Sequence, residues 1–431
     1  MSDGENLRVE VAVIGAGLAG LAAATVAARQ GISVALLDVR SAGGRARSDQ
    51  RDDYVLNQGP HAVYRTGAGS GVLSRVGVAL QGAPPHPAVA GYRGATGDLA
   101  VLPTSAASLL RSPLVGIGDK VRLGRLLTTL PKVDASSLAS QSAAGWIDSL
   151  GLKPNGAAVL TTLMRVATYA GDLRLISADA AVGQLQLVLE GNVVYLDGGW
   201  QTLVDGLVAA SSTAGTRLMV GERALAVAAG EGGTWEVTTP ARTVRAASLV
   251  IAPGGPDAAR ALLPRTPTWE LGSPATAACL DLGLRSPPVT RVAFGLDEPL
   301  YLSTHSPSAR LAPAGGALVH VMRYGARTSG EDRAQLWTLA ERCGVTEGDV
   351  VVQRFLHEMT VCHALPRPGA GLAGRPGIDA TDLPGVFLAG DWVGPVGLLA
   401  DAALSSGEAA GRAAAERAKS VASPMGGMVG R

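Results

Sequence analysis

Aromatic residues are scarce in this chain. They make up 4% of its 431 residues, and only three are Phe. An aromatic-lined substrate pocket is therefore not expected. Cysteine is as rare: Cys279, Cys343 and Cys362 show neither metal-ligand spacing nor a paired framework. Their scarcity fits a reducing compartment. An excess of charge is also missing. The 37 Lys and Arg against 36 Asp and Glu leave a net +1, and like charges form no blocks. Nothing here points to nucleic acid. No apolar stretch reaches the roughly 18 residues of a membrane-spanning helix, although peripheral membrane contact stays open. The first ten residues, with Asp3 and Glu5, do not read as a signal peptide. A cytoplasmic protein, with membrane association left open, is the expectation. What is plentiful is Gly, at 57 residues, and apolar residues, at 47%. A globular chain of this length is expected to form two domains.

The most informative segment comes first. Val9 to Ile14 is followed by Gly15-Ala16-Gly17-Leu18-Ala19-Gly20, an Ala-rich run, and Gly31 to Asp38. This predicts a strand, a glycine turn, a helix and a second strand ending in an acid. Gly15 permits the tight turn. Gly17 removes a side chain that would hold a pyrophosphate off the backbone, and Gly20 lets helix and strand approach. The N–H groups of Leu18 and Ala19 open the helix, whose N-terminus favours phosphate. Asp38, with Val39 and Arg40 after it, stands where a carboxylate accepts from the two hydroxyls of an adenosine ribose. Gly369 to Gly374 repeats the same six letters, but Leu365-Pro-Arg-Pro precedes it and Arg375-Pro376 follows. No strand enters it and no helix leaves it, so it reads as a loop.

Beyond Asp38, Gly43-Gly44-Arg45 offers backbone N–H groups and a cation to a phosphate. Tyr54 to His61 reads as a strand running into a bend. Residues 70–190 show helical spacing of Leu, Ala and Ser. From Gly191 the pattern changes: Gly198-Gly199-Trp200 leads into a helix over 202–211. Short strands follow at 217–220, 224–228, 234–239, 243–246 and 248–251. Residues 274–325 are strand-like, a helix covers 331–343, and another strand covers 348–354. Near the end, Leu383 to Leu388 closes on Gly390-Asp391. Leu398 to Ala418 reads as an amphipathic helix, and the tail from Lys419 as loose.

Together these blocks resemble the flavin-dependent amine oxidase and phytoene desaturase superfamily, the glycine-doublet flavoproteins. The resemblance rests on Gly15, Gly17, Gly20 and Asp38; on Gly43-Gly44-Arg45; on Gly198-Gly199; and on Phe387 to Asp391 with Ser406-Gly407. It implies an α/β protein: a Rossmann-like FAD-binding domain built from discontinuous segments, with an inserted α+β substrate domain. The FAD domain would comprise 1–69, 191–273 and 366–418. A helical insertion at 70–190 and a sheet part at 274–365 would form the substrate domain, and 419–431 a flexible tail. By resemblance, Asp38 would hold the ribose, and Gly44 and Arg45 would lie beside the pyrophosphate. Gln58, Gly59, Pro60 and His61 would approach the flavin ring. Ala224 would contact adenine, Gly390 and Asp391 the ribityl–phosphate region, and Leu398, Leu399 and Ala400 the O2/N1 edge of the flavin. A helix N-terminus there stabilises the negative charge of reduced flavin.

The cofactor implied is non-covalent FAD, because no cysteine follows Cys362. The expected activity is dehydrogenation of an apolar, isoprenoid-like or polycyclic molecule by hydride transfer to flavin, with oxygen or a quinone as acceptor. The desaturase-like branch is preferred because 274–365 contains no lysine of the kind amine oxidases use near the flavin. An amine or amino-acid oxidase is the alternative. A non-enzymatic prenyl-binding protein on the same fold is the alternative of another class. His61 is the one candidate for proton transfer, and packing with a hydrogen bond is the preferred reading of it. Arg323 and Tyr324 are weaker pocket candidates.

Overall fold

The computed structural model describes residues 6–94 and 97–422. Two seven-stranded sheets organise it. In the first, the order is Arg217–Val220, Val34–Asp38, Leu7–Ile14, Thr243–Ile251, Trp235–Thr238, Ala226–Ala229, with Val386–Leu388 added on Thr243–Ile251. The members from Arg217–Val220 through Thr243–Ile251, and Val386–Leu388, run parallel. The last two strands form an antiparallel hairpin. Val11 to Ile14 is buried on both faces, as a parallel sheet covered on both sides demands.

One face of this sheet carries the helix Leu18–Ala28. Val26 is its one residue that is not buried. It is apolar all round because the sheet, the helix Gln201–Thr213 and the last helix, Leu399–Ala422, all press on it. The contact with the last helix is backbone to backbone. A Cβ on Gly407 would lie 2.2 Å from the carbonyl oxygen of Ala19, and one on Gly411 2.3 Å from that of Ala23. Residue numbers rise together along this contact, so the two helices run parallel.

The second sheet is ordered Val350–Cys362, Ala275–Leu284, Ala317–Tyr324, Leu300–Thr304, Val292–Gly295, Ala90–Tyr92, Ala100–Val101. One face packs on the helix Ser329–Arg342 through Leu280, Leu282, Val319, Val321, Leu336 and Leu339. The other is roofed by the helices Ala106–Arg111, Ile117–Thr129 and Pro154–Thr168 through Leu109, Leu123 and Val159. Among its described residues, the stretch predicted as a helical insertion holds Ala106–Arg111, Ile117–Thr129, Ala143–Ser149 and Pro154–Thr168, with most of Ala68–Arg75 and Ala178–Gly191. It also lends Ala90–Tyr92 and Ala100–Val101 to this sheet, where Ala90 pairs with Ala293. The strand predicted over 348–354 runs on to Cys362 because it edges the longest strand pair. The two strands predicted across 243–251 are one. The strand predicted from Ala224 starts at Ala226. The last helix continues through Lys419 to Ala422 instead of loosening there; the rest of the predicted tail lies outside the described residues.

A buried ionic network fastens the second sheet to a small two-stranded sheet formed by Ser48–Arg51 and Tyr54–Asn57. Asp281 is fully buried on the middle of the second sheet. Its Oδ2 accepts from Arg354 Nε at 2.8 Å, and its Oδ1 from His320 Nδ1 at 2.6 Å and Cys279 Sγ at 3.1 Å. Arg354 also donates to Asp49 at 2.8 Å and to the carbonyl of Asn57. Burial alone would raise the Asp281 carboxyl, but His320 and Arg354 outweigh it and hold it below the ordinary range. Cys279, Asp281 and His320 could approach one ion, since their ligand atoms lie within 4.8 Å of one another. The Arg354 guanidinium already balances the carboxylate, so the cluster is complete as an ion-pair network.

Candidate cofactor groove and substrate site

The loops that leave Ile14, Asp38, Val220 and Leu388 emerge at one end of the first sheet, the carboxyl ends of its parallel strands. Ligands of open α/β sheets bind there. The three fingerprint glycines separate by role. Gly15 has φ +103°, and a Cβ on it would stand 2.1 Å from the carbonyl oxygen of Ala252. A Cβ on Gly20 would stand 1.7 Å from the oxygen of Gly15. Both are required by the fold. A Cβ on Gly17 would meet nothing within 4 Å. That opening faces a helix whose first internal bond is Leu21 N–H to Gly17 O at 2.9 Å. The N–H groups of Leu18, Ala19 and Gly20 therefore have no intrahelical acceptor.

The glycine doublet closes the other side. Gly43 N–H donates to Ala16 O at 2.7 Å and forms a bridge with Gly17. Gly44, at φ +54°, would bring a Cβ 3.6 Å from the Gly17 Cα. Asp38 supports the same loop, accepting from Ala16 N–H at 2.7 Å and Arg40 N–H at 2.8 Å. Val39 is 41% exposed, so the strand end is open to a ligand. Val220 pairs with Asp38, which puts the loop holding Ala224 on the same flank. These residues fit a dinucleotide's phosphates and ribose: open space, unpaired N–H donors and an acidic acceptor converge.

The C-terminal motif meets the doublet directly. Arg45 pairs with Asp391 at 3.1 Å and donates to the carbonyl of Val361 at 2.8 Å. Its guanidinium is thus turned to Asp391 and not to the Gly17 opening. Asp391 is buried and also accepts from His363, from the backbone N–H at 3.0 Å and from Nδ1 at 2.7 Å. Burial raises its carboxyl, but Arg45 and the His363 bonds hold it well below the usual carboxylate range. Gly390 is clasped by Ser406, whose hydroxyl lies 3.0 Å from its N–H and 2.9 Å from its carbonyl. Arg375 was legible only as a helix breaker in the second glycine run. It is buried and donates to the carbonyls of Asp391 at 3.2 Å and Gly397 at 2.8 Å. No sequence signal marks that role. Leu398 O accepts from Asp401 and Ala402 at 3.0 and 3.3 Å, so the N–H groups of Leu399 and Ala400 open the last helix without intrahelical acceptors. Leu399 has φ +54°, a strained conformation for a branched side chain.

Between the groove and the second sheet lies the segment 58–61. Gln58 donates to Asp49 at 3.0 Å. Gly59, at φ +80°, would carry a Cβ 2.8 Å from the methyl of Met359. His61 Nδ1 lies 3.0 Å from the Gly59 carbonyl and its ring meets Trp200 edge-on at 4.6 Å. A carbonyl only accepts, so Nδ1 donates and Nε2 keeps its lone pair. Burial pulls the imidazole down to about 4, so it is neutral near pH 7. Pro60 O accepts from Tyr169 Oη at 3.3 Å.

The few aromatic side chains are nevertheless gathered in one place. Tyr169 leads into a cluster that tyrosines build in place of the missing Phe. Tyr301 and Tyr324 stack at 5.6 Å, Phe294 stacks on Tyr301 at 5.5 Å, and Tyr169 meets Tyr324 edge-on at 6.0 Å. Rings far apart in sequence are gathered by adjacent strands, which composition does not show. The Tyr324 hydroxyl is buried without a hydrogen-bond partner. Cys279, Met322, Leu356 and Met359 complete the surroundings. Arg323 alternates to the opposite face and pairs with Asp332 at 3.4 Å, so it does not belong to the pocket. The chain's lysines are Lys120, Lys132, Lys153 and Lys419, none of them on these strands.

Comparison with known proteins places this arrangement. Residues 18–414 match the family model for flavin-containing amine oxidoreductases. No curated protein matches the chain. Among solved structures, a triple mutant of putrescine oxidase is similar with a TM-score of 0.73 and 16% identity, over 94% of this chain and 98% of that one. Cyclohexylamine oxidase from Brevibacterium oxydans IH-35A gives 0.68 and 17%, over 96% and 100%. Rab GDI from Plasmodium falciparum shares the fold at 0.61 and 11%, over 96% and 98%. Fold alone does not choose between oxidase and GDI. The family match spans nearly the whole chain, from the first groove helix into the last, and shows a flavin-dependent oxidoreductase: the chain belongs to the flavin-containing amine oxidoreductase family.

Proposed function

We propose that the flavin is FAD, held without a covalent bond, and that the enzyme dehydrogenates an apolar small molecule. FAD supplies a two-electron acceptor at its ring system. The glycine loop and Asp38 serve the adenosine and phosphate half; Asp391 and the N-terminus of the last helix serve the flavin half. The three cysteines are buried, and burial pushes Cys343 and Cys362 up to about 12, which leaves no ready thiolate for a thioether. Acid precipitation is expected to give a colourless pellet and a yellow supernatant. A yellow pellet would overturn non-covalent binding.

One observation carries the substrate reading. The cluster beside Gly59 to His61 is formed by the apolar and aromatic side chains Tyr169, Tyr301, Tyr324, Met322 and Met359. A substrate site beside such side chains would place an apolar carbon by shape. His61, neutral and fixed by Gly59 and Trp200, supplies a lone pair at Nε2 to orient a substrate proton. A second reading has a specific observation in its favour: tyrosine faces also attract a cation, so an amine is the competing substrate. Flavin bleaching under nitrogen, measured by stopped flow, decides between them. Polyprenes or sterol-like compounds are expected to bleach the flavin. Rapid bleaching by amines or amino acids alone would replace the apolar reading with the second. Oxygen and quinones are then compared as reoxidants.

A further inference from the structure

The four most exposed large apolar side chains among the described residues are Val289 at 93%, Ile117 at 83%, Leu110 at 75% and Val121 at 68%. The last three fall within one twelve-residue stretch. Leu110 stands near the end of the helix Ala106–Arg111. Ile117 and Val121 stand one turn apart on the helix Ile117–Thr129. Lys120 Nζ donates to the carbonyl of Leu110 at 2.8 Å, which holds the two helices' exposed parts together. Isolated apolar residues on a surface are ordinary, but a contiguous group marks an interaction site.

The charge around this group has one sign. From residue 105 to 133 the chain carries Arg111, Lys120, Arg122, Arg125 and Lys132 against a single acid, Asp119. Asp119 is 2% exposed, accepts from the Lys153 N–H at 3.1 Å and lies 3.6 Å from Arg122. Its charge is therefore turned inward. A chain with a net charge of +1 thus carries a surplus of cations on the stretch that also exposes Leu110, Ile117 and Val121. That combination complements a surface with negative headgroups over a hydrocarbon layer.

We propose that the helices Ala106–Arg111 and Ile117–Thr129 dock the protein on an anionic lipid bilayer. Leu110, Ile117 and Val121 enter the headgroup region, and Arg111, Lys120, Arg122 and Arg125 meet lipid phosphates. The contact is peripheral in kind, since no described helix is long and apolar enough to cross a membrane. The inner sides of the same helices, through Leu109 and Leu123, roof the cluster that holds Tyr301 and Tyr324. The docking face and the tyrosine cluster are thus two sides of one helical layer. The proposal does not depend on the identity of the substrate.

The test is cosedimentation of the flavin-loaded, full-length protein with phosphatidylcholine vesicles, with and without a minority of phosphatidylglycerol. Binding is expected only to the anionic vesicles, and it should weaken as salt rises. A triple variant, L110S with I117S and V121S, should lower the partition coefficient roughly tenfold or more. Its flavin spectrum and melting temperature should stay unchanged. The charge variant K120E with R125E should lose binding comparably, whereas V289S should retain it. Absence of binding to either vesicle, or binding unaffected by both variants, would overturn the proposal. So would a dimer in light scattering that the triple variant converts to monomer, because a second copy would then be the occupant.

Discussion

The cofactor groove and the tyrosine cluster are built from different materials. The groove is made of backbone: Gly15, Gly17, Gly20, Gly43 and Gly44 bring main chain against main chain, and few side chains intervene. The cluster is made of side chains, with tyrosines from a helix end and two neighbouring strands brought together by the second sheet. Backbone construction tolerates one residue type per position. Side-chain construction tolerates many, because volume and polarity can be redistributed. The contrast predicts where substitutions will be severe and what each will report.

The largest effect is expected where the groove does rely on charge. Asp391→Asn removes a buried carboxylate that accepts twice from His363 and pairs with the half-exposed Arg45. The loss of these charge-assisted bonds should cost about 3–5 kcal/mol of stability, measurable by denaturant unfolding. A loss below about 1 kcal/mol would mean that the Arg45 pair is solvated and weak. Next come the glycines. Gly20→Ala would drive a Cβ into the Gly15 carbonyl and should cost about 3 kcal/mol with loss of bound flavin. Gly17→Ala points its methyl into open space. It should leave the melting temperature of the flavin-free protein unchanged and weaken cofactor binding roughly tenfold to a hundredfold. Equal destabilisation by both would erase the distinction between a glycine required by the fold and one required by a ligand.

A smaller effect tests a carboxylate on the groove's edge. Asp401, in the first turn of the last helix, is 4% exposed. Its Oδ1 accepts from Gly69 N–H at 2.9 Å and its Oδ2 has no partner. Burial raises its carboxyl to about 6. A raised folded value favours the protonated form, so its contribution is present below the unfolded value near 4 and disappears as pH rises through 6. Stability should therefore fall by up to about 3 kcal/mol across that window. Asp401→Asn should flatten the profile; an unchanged profile would assign the dependence elsewhere. The smallest effect belongs to the tyrosine cluster. Tyr324→Phe removes an unpartnered buried hydroxyl and should change stability by less than about 1 kcal/mol, in the stabilising direction. A change in KM without a change in stability would place that hydroxyl on the substrate.

The same contrast explains what could be read before the structure was known. The strand from Val9, the helix from Leu18, Asp38 and the last helix were legible because each depends on local pattern and on glycines with no substitute. The repeat at Gly369 was correctly separated from the fingerprint by its prolines. Arg375 was not legible: its function is to reach carbonyls at Asp391 and Gly397, and tertiary folding alone brings those near. The tyrosine cluster is not legible for a related reason. Composition counts rings, but a cluster needs only three or four in one place. Cys279, Asp281 and His320 have no sequence spacing that marks them, since neighbouring strands supply their proximity. Arg323 and Tyr324 are equally weak pocket candidates from sequence because strand facing is not legible there, and one position decides which face a residue takes.

The glycine contacts at Gly407 and Gly411 make the two groove helices a ruler. The helices run parallel, and Gly407 touches Ala19, one residue past the start of the first. Ala400 precedes Gly407 by two turns. At 1.5 Å per residue, the start of the last helix therefore projects roughly 10 Å beyond the start of the first. No side chain sits in the contact to lengthen, shorten or relax that offset. A ligand can satisfy both helix starts only if its negative groups are spaced to match. A mononucleotide reaches one mark on the scale; a dinucleotide reaches both. Selection by length is thus written into two glycines that touch no ligand.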